Sequence, residues 1–176
     1  MTNFSDPANP DPFAAMFAGQ ITGDVRVWQA GAGWSTVAGS GLGGPNGIEI
    51  SPDGTTLYVS AWPARQVVRI LLAGGLADAQ ADLPFQPDNL RWTPAGTLLV
   101  TGQAFDNYDD LQTCAGQGNN CPVGYQIMEI DPATMTPSSR FTSDDPAFSL
   151  ATVAAPVGDE VWVGGLAADR IARIRF

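Results

Sequence analysis

The stretch "GGPNGIEISPDGTTLYVS", residues 43–60, decides how the chain is read. Two apolar runs flank "SPDG", in which Pro52 presets φ and Asp53-Gly54 tolerate positive φ, so a turn between two strands is expected there. Pro45-Asn46-Gly47 is open to two readings. Asn-Gly is a common hairpin dipeptide, which would make it one more turn. The other reading makes Asn46 an inward-facing metal ligand at the start of a strand.

The phrase returns. "NGIEISPDGTTLYVS" at 46–60 lines up with "NLRWTPAGTLLVT" at 89–101, with Asn46 on Asn89, Ile50 on Trp92, Ser51-Pro52 on Thr93-Pro94 and Gly54 on Gly96. Asn46 and Asn89 stand 43 residues apart. A fainter third copy, "SLATVAAPVGDEVWVGG", covers 149–165. A further strand follows each copy: "VVRI" (67–70), "IMEID" (127–131) and "IARIRF" (171–176). Repeats of about 40–50 residues with about four strands each are the mark of a β-propeller. A β-sandwich needs turn signals but no phrase repetition. The expected fold is all-β, with about three propeller blades, half of a six-bladed ring.

Working outward, "DVRVW" (24–28), "STVAG" (35–39), "LYVSAW" (57–62) and "QVVRILL" (66–72) read as strands. Residues 1–18, rich in Asn, Asp and Pro at their start, read as a disordered or loosely attached tail. Residues 19–176 read as one partial propeller with a long polar loop inserted at 103–124.

Totals exclude much chemistry. The chain has 176 residues, a net charge of −10 and no His, and all eight of its basic residues are Arg. Without His there is no Ser-His-Asp triad, no Cys-His pair and no imidazole ligand. Without Lys there is no Schiff base and no Walker A lysine. An acidic surface repels phosphate backbones and anionic bilayers, so neither nucleic acid nor membrane is an expected partner. No signal peptide is visible at the N-terminus, which leaves the location open, a periplasmic or secreted one included if the N-terminus is truncated.

Three motifs carry less than they suggest. "GSGLGG" (39–44) satisfies the dinucleotide pattern but leads into a strand, where that fingerprint needs a helix. "FDNYDDLQ" (105–112) has Leu111 where an EF-hand needs glycine and reads as a solvated acidic loop. Cys114 and Cys121 bracket "AGQGNN": a disulfide in an oxidising compartment, two free thiols in a reducing one.

Asn46, Asp88 and Asn89 form the candidate site. Residues at the start of innermost strands converge on a propeller's axis, and amide and carboxylate oxygens there suit a hard cation. Turn preference explains Asn89 poorly, because Leu90 follows it.

"GGPNGIEISPDGTTLYVSAW" with "QPDNLRWTPAGTLLVTG" resembles the calcium-dependent six-bladed propellers of the gluconolactonase and senescence-marker-protein superfamily. The "PDN" spelling is similar to the paraoxonase-like arylesterase branch. The resemblance implies a calcium-dependent hydrolase of lactones or esters. It implies Ca²⁺, or another divalent cation, on Asn46, Asp88 and Asn89, with Asp88 also the general base. The implied partner is a small lactone or ester. Only the C-terminal half of such a propeller is matched, and its remaining ligands, a Glu and an earlier Asn, have no counterpart here. The chain is therefore expected to be an incomplete or truncated member, completed by a missing N-terminal half or by a homodimer. The alternative is a non-catalytic propeller-type module that binds through its loops.

Overall fold

The computed structural model describes residues 1–114, 121, 123–166 and 168–176. They divide into two compact units, Met1–Asp82 and Leu83–Phe176, where the sequence suggests one body over 19–176.

In the first unit, β1 (Thr2–Asn3), β2 (Asp24–Gln29) and β3 (Gly33–Thr36) form a three-stranded antiparallel sheet. A four-stranded meander follows, of β4 (Pro45–Ile50), β5 (Thr56–Ala61), β6 (Gln66–Leu71) and β7 (Leu76–Asp82). "SPDG" is the β4–β5 turn: the amide of Gly54 donates to Ser51 O at 2.8 Å and Gly54 takes a φ of +73°. Pro45-Asn46-Gly47 is not a turn, since all three residues lie within β4. One core of this unit joins Val25, Leu57, Val59, Ala61, Val68 and Ile70.

Residues 1–18 differ from the expected tail. Besides β1 they form a short helix, α1 (Pro12–Phe17), whose end is capped by Asp11 accepting from the amide of Ala14 at 3.0 Å. The Asp-Pro pair that looks disordered in sequence is a helix start. Phe4, Phe13 and Phe17 surround Trp62, with ring centroids 5.7 to 6.3 Å away, and Met16 is 2% exposed. Apolar burial of that size offsets the ordering cost of a short segment.

The second unit opens with the same meander: β8 (Gln86–Trp92), β9 (Leu98–Ala104), β10 (Gly124–Asp131) and β11 (Thr136–Ser143). The expected loop at 103–124 is partly regular. β9 runs through Ala104, a short helix α2 spans Tyr108–Gln112, and β10 begins at Gly124; residues 115–120 and 122 lie outside the described residues. Cys114 and Cys121 are joined by a disulfide with Cα atoms 4.8 Å apart. Three further strands, β12 (Ala151–Val157), β13 (Glu160–Gly165) and β14 (Ala172–Ile174), form the last sheet. Leu99, Tyr125 and Ile127 of one sheet pack on Ala151, Ala154, Val161 and Val163 of the next. This is blade-on-blade packing through alternating inward residues.

The last sheet ends in an ion cluster. Glu160 accepts from Arg173 at 2.8 and 2.9 Å and from the Trp162 indole at 3.1 Å, and Arg175 stands 3.1 Å away. The Arg173 hydrogen bond, then the Trp162 one, pull its acidity down to a pKa of about 2 from the ordinary 4.5. A depressed carboxylate stabilises the fold above its unfolded pKa and stops doing so as pH falls through the folded one. Acid titration of thermal stability between pH 4.5 and 2 is therefore expected to show a loss that Glu160→Gln removes. A variant and wild type falling in parallel over that window would show the cluster to be inert.

Candidate functional site

The first strands of three of the four sheets, β4, β8 and β12, share an irregularity. Along β4, Pro45 lies opposite Ala61 and Ile48 opposite Val59, so three steps on one strand face two on the other. Along β8, Pro87 faces Gly102 and Leu90 faces Val100, the same one-residue bulge. Along β12, the shift falls between Ala151 and Val153. These registers correct the match of Asn46 to Asn89 and agree with the other matched pairs. Pro45 takes the place of Pro87, and Ile48 that of Leu90, so Asn46 corresponds to Asp88 and Gly47 to Asn89.

The bulge matters because side chains in a regular strand alternate between faces. Gln86 pairs with Gln103, and Arg91 pairs with Leu99, on one face; Leu90 pairs with Val100 on the other. The extra residue lets Asp88 and Asn89, neighbours in sequence, both point to the Gln103 face. There Asn89 Nδ2 donates to Asp88 Oδ1 at 2.8 Å and to the Thr152 carbonyl at 3.0 Å. Gln103 Nε2 donates to Asp88 Oδ2 at 3.1 Å and to the Ala151 carbonyl at 2.9 Å. Successive carbonyls of a regular strand point in opposite directions. At the β12 bulge, those of Ala151 and Thr152 both serve this cluster.

The result is a chain of five groups: Thr152 O, the Asn89 amide, the Asp88 carboxylate, the Gln103 amide and Ala151 O. Gln103 is 4% exposed and Asp88 half-buried. Hydrogen bonds to a carboxylate contribute about 1.5–3 kcal/mol each, and leaving such a group unpaired costs more. The cluster therefore holds β12 against β8 and β9 at the polar end of an otherwise apolar interface.

Two polar atoms on the same face are buried without a partner. Gln86, 2% exposed, gives its amide hydrogen to Phe105 O at 3.1 Å, but its Oε1 is unsatisfied. Thr101, fully buried, lies two residues before Gln103 on β9, and its hydroxyl is also unsatisfied. Ser60 of β5 is the third such atom among the described residues, and its register matches that of Thr101.

Asp88 and Asn89 are thus brought together, with Gln103, Gln86 and Thr101 beside them. Asn46 belongs to the other unit; it sits half-buried at the β4 bulge and makes no side-chain hydrogen bond among the described residues. Gln103 escaped the sequence reading because it lies in "TGQA", on a strand where nothing marks it as polar and inward. The donor set of Asp88, Asn89, Gln103 and two strand carbonyls is all hard oxygen once the amides present their oxygens, and with the orphaned Gln86 and Thr101 acceptors it fits a divalent cation in kind. No cluster of three or more His, Cys, Asp or Glu exists among the described residues, so such an ion would rest on one carboxylate and neutral oxygens.

The same blade pair has an open groove of about 300 Å³ at its other end, lined by Thr93, Leu99, Glu129, Arg140, Val161 and Phe176 among others. Its charges are matched internally: Arg140 stands 3.2 Å from Glu129 and its guanidinium 5.1 Å from the centre of the Phe176 ring.

No family model matches the chain, and no curated protein does. Solved structures do. A luciferin-regenerating enzyme superposes with a TM-score of 0.52 at 19% identity, over 82% of this chain and 44% of its own. The hydrazine synthase of Kuenenia stuttgartiensis superposes with a TM-score of 0.51 at 18% identity, over 80% of this chain and 35% of its own. The chain thus spans less than half the length of either. At these identities the likeness is one of fold: the chain is built of β-propeller blades.

Gly102 tests the site's backbone. A Cβ there would stand 1.8 Å from Gln86 O, because β8 is drawn close to β9 beside the bulge. Gly102→Ala is expected to cost about 1–3 kcal/mol in urea unfolding. An unchanged midpoint would mean that the two strands are not so close.

Proposed function

We propose that the chain carries the metal-binding part of a calcium-dependent hydrolase of lactones or esters, of gluconolactonase or arylesterase type. The observation that supports it is the bulge that turns Asp88 and Asn89 to one face, with Gln103 and two carbonyls around the carboxylate. Asp88 and Asn89 would hold the ion; Asn46 takes the register position of Asp88 in the preceding blade. A bound divalent cation supplies Lewis-acid polarisation of a carbonyl oxygen. Asp88 would take the proton, and the hydrogen bonds from Gln103 and Asn89 fix the plane of its carboxylate. That the neighbouring fold is found in a luciferin-regenerating enzyme is consistent with enzymatic use of such a scaffold. Because the chain spans less than half of that neighbour, a second copy or a further length of chain would supply the rest of the shell.

A second reading has an observation of its own. Both Asp88 oxygens accept from amides that also grip β12, so the cluster works equally as a latch between blades in a non-catalytic binding module. The two readings part in a hydrolysis assay on aryl esters and γ- and δ-lactones with Ca²⁺. The hydrolase reading expects turnover that chelation abolishes and that Asp88→Ala lowers about 10²–10⁴-fold in protein that keeps its β-sheet circular dichroism. No turnover on any of them, with or without Ca²⁺, would leave the latch.

A further inference from the structure

We infer that Trp28 and Trp34 form a stacking platform for a neutral glycan, on the face of the first sheet opposite to the one Val25 buries. The platform is separate from the Asp88 cluster and stands or falls without it.

The second strand of each sheet tells which faces are covered. β5 is buried along its whole length, and β9 at every position but its last. β2, "DVRVWQ", alternates instead: Val25 joins the core, and Asp24, Arg26 and Trp28 point the other way. Such alternation marks a strand with one face in water. The polar groups of that face satisfy one another. Arg26 Nε donates to Asp24 Oδ1 at 2.6 Å, and Thr36 Oγ1 donates to Asp24 Oδ2 at 3.1 Å. Under a second packed sheet these charges would be costly, so the face is built to stay open.

Two indoles depart from that design. Trp28 lies directly opposite Trp34 across the β2–β3 pair, so both stand on the open face, 57% and 60% exposed. Neither makes a hydrogen bond or a ring contact among the described residues. Trp162 of β13 also sits on a strand with alternating burial, but it is engaged: its indole donates to Glu160 at 3.1 Å and the Arg173 guanidinium lies 5.6 Å from its ring centre. Trp62 is enclosed by three phenylalanine rings. Single exposed apolar residues are ordinary, whereas adjoining aromatic rings left in water mark an interaction site. Directly opposed residues have Cβ atoms about 4.5–5.5 Å apart, so the two rings act as one surface. A tryptophan has only two side-chain torsions to fix, which keeps the ordering cost of binding low.

Size, charge and surface chemistry define the partner. Strand geometry gives the β2–β3 face about 20 Å by 10 Å, about a quarter of the roughly 800 Å² per partner that a stable protein interface buries. That area is too small for a second copy of this chain and suits a few sugar rings. The chain's net charge of −10 repels a polyanion, and a cation finds Asp24 already paired with Arg26. A neutral ligand remains. The face of an aromatic ring is electron-rich and attracts the C–H groups that line one side of a pyranose. Sugar hydroxyls donate and accept at once, which matches the mixed set beside the rings: the Arg26 guanidinium, the Asp24 carboxylate, the Thr36 hydroxyl and two indole N–H groups.

The test uses the full chain with cellohexaose and chitohexaose as probes. Wild type is expected to bind at least one of them saturably in calorimetry. Trp28→Thr and Trp34→Thr, which keep a good strand former, should each weaken that binding at least tenfold. Trp34→Phe retains an aromatic face and should weaken it less, and Trp162→Phe should leave it unchanged. Absence of binding by wild type to both sugars overturns the platform, and so do threonine variants that bind as tightly as wild type. Two other outcomes overturn it by naming another occupant. A wild-type dimer in sedimentation that Trp28→Thr dissociates makes the face a contact between copies. Binding to phosphatidylcholine vesicles that Trp28→Thr abolishes makes it a membrane anchor. Where Trp28→Thr does not fold, Trp34→Thr and Trp34→Phe, on the edge strand β3, decide.

Discussion

One extra residue in the first strand of each meander is the constraint on which the polar cluster of Asp88, Asn89 and Gln103 depends. Strand pairing obliges side chains to alternate, so two polar neighbours in sequence are ordinarily split between faces. The bulge between Pro87 and Leu90 breaks that rule once and delivers Asp88 and Asn89 together. The bulge at Ala151–Val153 does the same for two carbonyls. Neither feature alone makes the polar cluster; the two facing each other across one blade interface do. Gly102 is part of the same arrangement, because only a residue without Cβ lets β8 approach at the point where it departs from regular pairing.

Energetics explain why the polar cluster sits where it does. Leu99, Tyr125 and Ile127 pack on the β12–β13 face and supply the burial that holds the two sheets together. Polar groups beside such a core are costly unless paired. Asp88, Asn89 and Gln103 meet that demand through one another and through the strand carbonyls, at the strand ends where the apolar contact stops. Gln86 Oε1 and Thr101 Oγ1 do not fully meet it, and buried polar atoms of this kind are ordinarily completed by water or an ion.

Much of the fold was legible in the sequence, for a local reason. "SPDG" and "TPAG" are turns whose chemistry is written in adjacent residues, and the inner strands beside them are apolar on both sides of the alternation. What was missed depends on contacts distant in sequence. β7 and β11 are outer, mostly exposed strands of small and polar residues, "LADAQAD" and "TPSSRFTS", with no apolar stripe to announce them. Residues 1–18 looked like a tail because their aromatic rings meet Trp62 only after folding. Matching Asn46 to Asn89 followed identity, yet the other matched pairs, such as Ile50 with Trp92 and Gly54 with Gly96, already place Asn46 on Asp88, and the strand pairing agrees with them. Gln103 could have been found only from the strand opposite.

The chain's acidity and the Asp88 cluster are separate matters. Most ion pairs are exposed and local: Arg69 with Asp78, Arg26 with Asp24, Arg170 with Asp169, Arg173 with Glu160. Pairs of that kind are worth little and are screened by salt. Asp88 is handled differently. Its carboxylate accepts from the side-chain amides of Asn89 and Gln103, which also donate to the carbonyls of Thr152 and Ala151, so this charge is tied into the packing of β12 on β8 and β9, where the exposed pairs hold only neighbouring side chains.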